Sequence, residues 1–381
     1  MTNKILNIVK GLVYIQIPIL FISDLIFQVY KPIKKIDFII GVHEISSNIY
    51  NLKKVINKSK SVNLNPNKYY DYQYDYGLNI KNKYFRFLIN LFYSPFLLGY
   101  LCNKTNKFIY IWDKGFLIDR SLEFKFLKSK DKKIILFFCG DDIRSPKLSL
   151  EYSDNLGVEN FLHFVQYDLD IQEKKVKKTA IISDKYGDLI FNFPICQKSY
   201  LKKRTYFPTY IYNPRRFNFL DGKFKNIKKF KIVHAPSNPN VKGTNLVREA
   251  INQLIVEGYK INYIELQERS NIEVLNELKE SHIVLNSFYG LGYTIGTFGV
   301  EALANCNCLL TSICSETTYF GNSIILSELN NVCVNTKYWE IQDKLKNLLD
   351  NPRKVERYAY LGYNFALENF ECRVADLASY L

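Results

Sequence analysis

Short apolar runs that alternate with longer stretches of helical periodicity are the feature that most constrains how this chain folds. One series of such pairs precedes a polar, lysine-rich segment at 213–229, and a second series follows it. This alternation is typical of parallel sheets, because parallel strands need crossover connections that usually contain a helix. The sequence therefore predicts an α/β fold with one parallel, helix-covered sheet in each half.

The individual elements are predicted from apolar periodicity and from helix caps. Ser270 and Glu273 have the spacing of a capping box, and Gly258 ends an apolar stripe that repeats with the helical period. We predict strands at 36–41, 108–112, 133–139, 188–193, 230–234, 261–266, 282–286 and 308–312. We predict helices at 46–56, 117–128, 242–257, 270–279, 299–304 and 338–349.

The chain length favours two domains, since 381 residues exceed one ordinary hydrophobic core. We expect an N-terminal Rossmann-like domain at 1–225 and a C-terminal Rossmann-like domain at 226–365. A final helix at 366–381 is expected to pack back on the N-terminal domain.

The net charge of +15 favours polyanionic partners such as nucleic acid, an anionic membrane face or phosphorylated substrates. A bias in codon usage would also enrich lysine, so the positive net charge has two explanations. The basic residues are scattered and no recognised nucleic-acid-binding motif frames them. We therefore expect no nucleic-acid partner.

The stretch at 5–30 is apolar enough to suggest a membrane helix. Five residues interrupt it: Lys10, Gln16, Pro18, Asp24 and Gln28. Charges near the centre of a spanning helix are costly, which favours a helix on a membrane surface or packed within the first domain. Lys31, Lys34 and Lys35 follow directly, where anionic headgroups would attract them. Peripheral contact of residues 1–35 with an anionic membrane and burial in the first domain are the two expectations.

Eight cysteines occur without a C-x-x-C spacing, without clustered histidines and without a signal-peptide pattern. This usage indicates reduced thiols in a cytoplasmic protein rather than disulfides or a zinc site. We therefore expect no metal site.

Two loops after predicted strands of the second half are candidate ligand sites, because open α/β sheets bind ligands at such loops. In the first, Lys242 and Gly243 stand at a helix start, where an ammonium and free amides would face an anion together. The second is glycine-rich, so its backbone can approach a ligand closely, and Glu301 follows in the predicted first helical turn. The binding candidates are Ser237, Asn238, Lys242, Gly243, Gln267, Tyr289, Gly290, Tyr293, Gly296, Thr297, Phe298, Gly299 and Glu301.

Two loops of the first half carry further polar candidates. Gly41 and His43 follow the first predicted strand, and Asp141, Asp142 and Arg144 follow another. Either group would suit hydroxyl binding. A core imidazole is the alternative for His43, and an internal salt bridge is the alternative for the Asp-Asp-x-Arg group.

Three of these segments together resemble the GT-B glycosyltransferases with a retaining-type donor-binding domain. In that family a Lys-Gly pair contacts the donor diphosphate, as Lys242 and Gly243 would here, and a glutamate at the position of Glu301 binds the ribose. The segment from 138 to Arg144 resembles a Gly-x-Asp-hydrophobic-Arg motif in the first domain of bacterial members. The chain departs from the family at Tyr293, where many relatives have a second glutamate, and in the loop before Lys242, where they have an arginine.

The resemblance implies two Rossmann-like domains whose parallel sheets face a cleft, the first binding the acceptor and the second the nucleotide sugar. It implies a retaining transfer of a sugar to a bacterial glycan or lipid-linked acceptor, with no cofactor and no metal ion. Lys242, Glu301 and His43 are the catalytic candidates, while Gly41, His43, Asp141, Asp142 and Arg144 would bind the acceptor. The location would be the cytoplasm or the inner face of the membrane. A catalytically silent GT-B subunit and a sugar-nucleotide epimerase on the same fold remain alternatives.

Overall fold

The structure, a computed structural model, describes residues 3–30, 36–67, 69–192, 198–206, 222–289, 295–313 and 323–371. The chain divides into two compact units. The first unit contains the described residues of 1–143, 174–193 and 199–208, and the second contains those of 144–173, 194–198 and 209–381.

A six-stranded parallel sheet forms the centre of the first unit. Its strands are β1 Phe38–Val42, β2 Ser59–Asn63, β3 Tyr76–Gly77, β4 Lys107–Ile111, β5 Lys133–Phe137 and β6 Leu189–Phe191. The spatial order is β3-β2-β1-β4-β5-β6, which is the strand order of a dinucleotide-binding Rossmann fold. The helices before and between these strands are α1 Asn3–Val29, α2 Asn48–Val55, α3 Lys83–Cys102, α4 Arg120–Ser129, α5 Pro146–Asn155 and α6 Leu169–Tyr186.

A five-stranded parallel sheet forms the centre of the second unit. Its strands are β7 Phe230–His234, β8 Ile261–Glu265, β9 Ile283–Leu285, β10 Cys308–Thr311 and β11 Val334–Asn335. The order is β11-β10-β9-β7-β8, the doubly wound order in which the first strand lies between the second and the third. The helices are α7 Pro239–Lys242, α8 Thr244–Val256, α9 Asn271–Glu280, α10 Gly296–Ala304, α11 Ser323–Val332, α12 Ile341–Leu349 and α13 Pro352–Ala366.

The central strands of both sheets are apolar and buried, as expected when helices cover a parallel sheet. All five residues of β1 are buried, and so are the central residues of β4, β5 and β9. Polar residues at strand ends and in loops define where the helices begin. Asp119 accepts hydrogen bonds from the amides of Ser121 and Leu122 and thereby caps α4, and Ser270 with Glu273 forms the predicted capping box of α9. The predicted α/β class with two Rossmann-like parallel sheets is confirmed.

All six predicted helix starts differ from the observed ones by one to three residues, and two of these differences involve a glycine. The helix predicted at 242–257 begins at Thr244, because Gly243 has a φ of 73° and separates it from α7. The helix predicted from Gly299 begins at Gly296, three residues earlier. Glu301 therefore lies in the second turn of α10 and not in the first.

Residues 144–173, which the sequence placed in the N-terminal domain, group with the second unit. The predicted domain limits otherwise stay a prediction. Most of the predicted helix at 366–381 lies outside the described residues.

Candidate functional site

The second sheet has its topological switch point between β7 and β9. These strands are neighbours, with His234 paired to Leu285, but the chain leaves β7 towards β8 and leaves β9 towards β10, in opposite directions along the sheet. The loops after β7 and β9 therefore diverge at the carboxyl edge of the sheet. Open α/β sheets bind their ligands at this position.

His234, the last residue of β7, holds the two sides of this switch point together. Its Nδ1 donates to the carbonyl oxygen of Leu285 over 2.8 Å, and its Nε2 accepts from the hydroxyl of Thr244 over 2.9 Å. Burial lowers the pKa of His234 to about 4, so the ring is neutral and has the tautomer that these two bonds require. His234 thus positions the first residue of α8 against the sheet.

The start of α8 has no side-chain cap. Asn238 caps the short helix α7, which ends at Lys242, and Gly243 follows with a left-handed backbone. Gly243 has no side chain with which to cap α8, so the first amides of α8 lack the partner that a serine or aspartate would provide. Such amides, at the positive end of a helix, are suited to a phosphate.

Two cations lie at this helix start. Burial, and to a lesser extent the positive charge of Arg144, lower the pKa of Lys242 to about 8. No ion pair joins Lys242 to a carboxylate within the described part of the chain. Arg144 is placed by the chain just before α5 and lies over the ring of Phe161, 4.8 Å from its centroid. The sequence predicted Arg144 as an acceptor ligand, whereas the structure brings it near Lys242.

Aromatic residues line one side of the site at Lys242 and Gly243. Tyr289 stacks on Phe164 with ring centroids 4.0 Å apart, and Tyr338 packs against Tyr289 at 5.7 Å. A Cβ added to Gly243 would lie 3.4 Å from the Tyr289 ring and would also be strained by the positive φ. Because 3.4 Å is an ordinary contact distance, the positive φ and not the Tyr289 ring is what favours glycine at this position.

Glu301 lies inside α10 and is only 4% exposed. One carboxylate oxygen accepts a hydrogen bond from the side-chain amide of Asn271 over 2.8 Å, at the first residue of α9. Burial raises the pKa of Glu301 to about 7. Asn271 was not predicted from the sequence, although its place directly after the capping Ser270 is a signal that would have identified it as a residue at the carboxyl edge.

The other predicted donor residues differ in their surroundings. Ser237 and Gln267 are exposed, and the Gln267 amide donates to Glu265.

The predicted donor residues of the glycine-rich segment lie at the start of α10. Gly296 has a positive φ there, while Thr297 and Phe298 are half-buried. Gly299 serves packing, since an added Cβ would lie 2.5 Å from the Cβ of Ile295. Gly290 and Tyr293 lie outside the described residues.

The predicted acceptor residues other than Arg144 belong to the first unit. Gly41 is buried within β1, where an added Cβ would lie 2.8 Å from the carbonyl oxygen of Val62. His43 is half-buried at the carboxyl end of β1; burial lowers its pKa to about 4, and its Nδ1 has no hydrogen-bond partner among the residues that the structure describes. The Asp142 carboxylate accepts from the amides of Cys139 and Gly140 and so closes its own turn, while Asp141 is half-buried. Both roles proposed for His43, a hydroxyl-binding residue and a core imidazole, stay predictions.

No cluster of three or more histidine, cysteine, aspartate or glutamate side chains is suited to a metal ion among the described residues. That the reaction needs no metal ion stays a prediction.

Replacing His234 by asparagine is expected to lower the free energy of unfolding by about 2 to 4 kcal/mol near neutral pH, because one amide cannot reach both Leu285 and Thr244. The folded pKa of His234 lies below the unfolded value of about 6.5, so protons bind preferentially to the unfolded state and the benefit of His234 falls as the pH drops. The difference in the free energy of unfolding between wild type and variant should therefore be about 2 kcal/mol smaller near pH 5 than near neutral pH. Chemical denaturation at both pH values measures it. His163→Asn, at an exposed position, is the control. If the loss of stability in His234→Asn does not change with pH, the role given to the neutral ring of His234 is contradicted.

Comparison with known proteins reveals a distant likeness. No protein-family model matches the chain, and no curated protein matches it. The glycosyltransferase SnogD from Streptomyces nogalater is 8% identical, with a TM-score of 0.42 over 91% of this chain and 100% of that chain. The glycosyltransferase VinC, in complex with DTDP, is 8% identical, with a TM-score of 0.36 over 90% of this chain and 98% of that chain. At these values the likeness assigns neither a donor nor a reaction to this chain.

Proposed function

We propose that this protein is a glycosyltransferase that takes a sugar from a nucleotide diphosphate sugar and transfers it to a bacterial glycan or lipid-linked acceptor. The observation that carries the proposal is the pair of cations, Lys242 and Arg144, at the uncapped start of α8. A bound anion offsets the repulsion between two neighbouring positive charges. A diphosphate suits this position, because two phosphates match two cations and a row of helix-end amides.

The residues at the carboxyl edge of the second sheet have separate roles in this proposal. Lys242, Arg144 and the amides of α8 bind the diphosphate and stabilise the negative charge that develops on it as the glycosidic bond breaks. Glu301 accepts hydrogen bonds from ribose hydroxyls. Tyr289 and Phe164 exclude water from one side of the diphosphate. Because side-chain cations and amides supply the positive charge, we propose a transfer that needs no metal ion.

We assign the acceptor to the carboxyl edge of the first sheet. The strand order there reverses between β1 and β4, so the loop that begins with His43 lies at a second switch point. The lowered pKa of His43 keeps its ring neutral at physiological pH, and Nδ1 has no bond to another described group. We propose that this nitrogen positions an acceptor hydroxyl. Retention of configuration and a cytoplasmic location are part of the proposal and follow from the resemblance.

A panel of nucleoside diphosphates in a thermal-shift assay tests the donor site. A ligand at a hundred times its dissociation constant should add about 2.7 kcal/mol of stability. We expect one base to give a shift that Lys242→Ala weakens. Lys260→Ala is the matched control, because Lys260 precedes β8 at the opposite edge of the same sheet and is exposed.

The corresponding nucleotide sugar then separates an enzyme from a silent subunit. A transferase should release the nucleoside diphosphate from a bound nucleotide sugar, even slowly to water, whereas a silent subunit binds the sugar nucleotide and leaves it intact. No thermal shift with any nucleoside diphosphate would contradict the proposed donor site.

A further inference from the structure

Helix α1 buries three polar side chains together with Leu20 and leaves many of its apolar side chains outward. Gln16, Ser23 and Asp24 are 2%, 0% and 4% exposed. The outward residues are 40% to 75% exposed, and they are Tyr14, Ile15, Phe21, Ile22, Leu25, Ile26, Val29 and Tyr30. A helix on a water-facing surface has the opposite arrangement. The orientation of α1 therefore suits apolar surroundings.

Hydrogen bonds from the buried polar side chains of α1 fix this orientation. The side-chain oxygen of Gln16 accepts from the amide of Ile118 over 2.8 Å, and the Ser23 hydroxyl donates to the carbonyl of Phe96 over 2.6 Å. Asp24 accepts from the side-chain amide of Asn103 over 2.9 Å and pairs with Lys130 at 2.6 Å. Rotating α1 so that its apolar side faced inward would break these bonds and leave buried groups unsatisfied. The outward apolar side is thus a consequence of specific packing.

Helix α3 extends the same surface. It runs beside α1 in the same direction, since Ser23 lies next to Phe96 and Phe27 next to Tyr100. Its outward aromatic and aliphatic residues are 43% to 71% exposed, and they are Tyr84, Phe85, Phe87, Leu88, Phe92 and Phe96. A groove lined only by apolar and aromatic side chains runs between the helices, with Ile19, Leu88 and Phe92 among them. We call the outward residues of both helices the apolar face.

We propose that the apolar face inserts into one leaflet of an anionic lipid bilayer, with α1 and α3 lying along the membrane surface. A bilayer accepts helices whose backbone groups are already paired and whose outward side chains need no polar partner. Tyrosines stand at both ends of the face, Tyr14 and Tyr84 at one end and Tyr30 at the other, where a ring with a polar tip suits the headgroup region. The face is independent of the proposed donor site.

Basic residues flank the apolar face and favour anionic headgroups. Lys81 and Lys83 are exposed at the start of α3. In the sequence, Lys31, Lys34 and Lys35 come directly after α1, and they lie outside the described residues. Both helices are long and apolar enough to cross a membrane. Each is packed within the first unit along one side, however, and the inward side of α1 carries Gln16, Ser23 and Asp24, so a position along the surface fits better than a crossing.

Sedimentation with vesicles tests the proposal. The full chain is mixed with vesicles of phosphatidylcholine, with and without phosphatidylglycerol. The α1 variant replaces Ile22 and Leu25 by glutamate, and the α3 variant replaces Phe85 and Leu88 by glutamate. The control replaces Ile255 and Val256 by glutamate, which adds the same charge at exposed apolar positions at the end of α8.

We expect wild type and control to bind the anionic vesicles more tightly than the neutral ones. Each variant of the face should lose about a hundredfold in partition, because two apolar side chains no longer enter the lipid. Circular dichroism should remain unchanged, since all four replaced residues are at least half exposed. Absence of wild-type binding, or equal binding by the variants, would overturn the proposal. A soluble dimer that both variants dissociate would instead identify the face as an interface between copies, and that result also overturns it.

Discussion

Replacing Glu301 by glutamine is expected to stabilise the protein at about pH 8 and to weaken binding of the nucleoside diphosphate. The folded-state pKa of Glu301 is raised from 4.5 to about 7, because the carboxylate is buried and Asn271 offsets only part of the lost hydration. The stabilising contribution of the protonated acid is full below the unfolded pKa and is lost as the pH rises through 7. Glutamine avoids this loss, so the variant should gain up to about 3 kcal/mol at pH 8 and nothing near pH 4.5.

The binding half of this prediction separates a functional carboxylate from a structural one. If Glu301 accepts hydrogen bonds from ribose hydroxyls, the amide should cost about 10- to 100-fold in affinity for the nucleotide that the panel identifies. Denaturation at several pH values gives the stability, and calorimetry gives the affinity. Glu249→Gln, at an exposed position on α8, removes the same charge and should change neither quantity. A variant that is less stable at every pH, or that binds nucleotide as the wild type does, would count against this role for Glu301.

Affinity for the diphosphate is expected to fall as the pH rises above 8, by about tenfold per pH unit, if Lys242 is the titrating group. The pKa of Lys242 is lowered to about 8 by burial and by Arg144, and a bound anion would favour the protonated form. Above this pH the free protein must take up a proton in order to bind. Lys242→Arg keeps its charge well beyond this range and should have an almost constant affinity between about pH 7.5 and 9.5.

Arg144 supplies an internal check on this titration. Arg144→Ala removes a positive charge near Lys242, so the pKa of Lys242 should rise and the loss of affinity should begin at a higher pH. The same variant should bind more weakly at neutral pH, because one of the two cations is gone. Calorimetric titrations of the three proteins across the pH range test both effects. A decline that persists unchanged in Lys242→Arg would show that another group titrates.

The sequence was most informative where a local pattern decides the structure. Buried parallel strands are continuous apolar runs, so β1 and β5 are recognisable from their residues alone. The capping box at Ser270 depends on a spacing of three residues and is equally local. The helix starts at Gly243 and Gly296 were misjudged, because glycine permits both helical and left-handed backbone and the choice depends on the surrounding packing.

The sequence was least informative where the pattern itself is unusual. Helix α3 was not predicted, because its apolar residues point both towards the protein and away from it and so form no single stripe. For α1 the sequence left two possibilities open, a membrane-surface helix and a helix packed in the first domain. In the structure α1 packs within the first unit through Gln16, Leu20, Ser23 and Asp24 and leaves many apolar side chains outward, which combines features of both possibilities.

By itself, the sequence determined the α/β class, the two parallel sheets and the place of Lys242 and Gly243 in the segment just before a long helix. These follow from periodicity and from backbone preferences, which act over a few residues. The tertiary structure alone decided that residues 144–173 join the second unit, that Arg144 approaches Lys242, and that Asn271 bonds to Glu301. Those contacts join residues about 30 to 100 positions apart, and which of them form depends on how the strands are ordered in the sheets, a choice that no local pattern records.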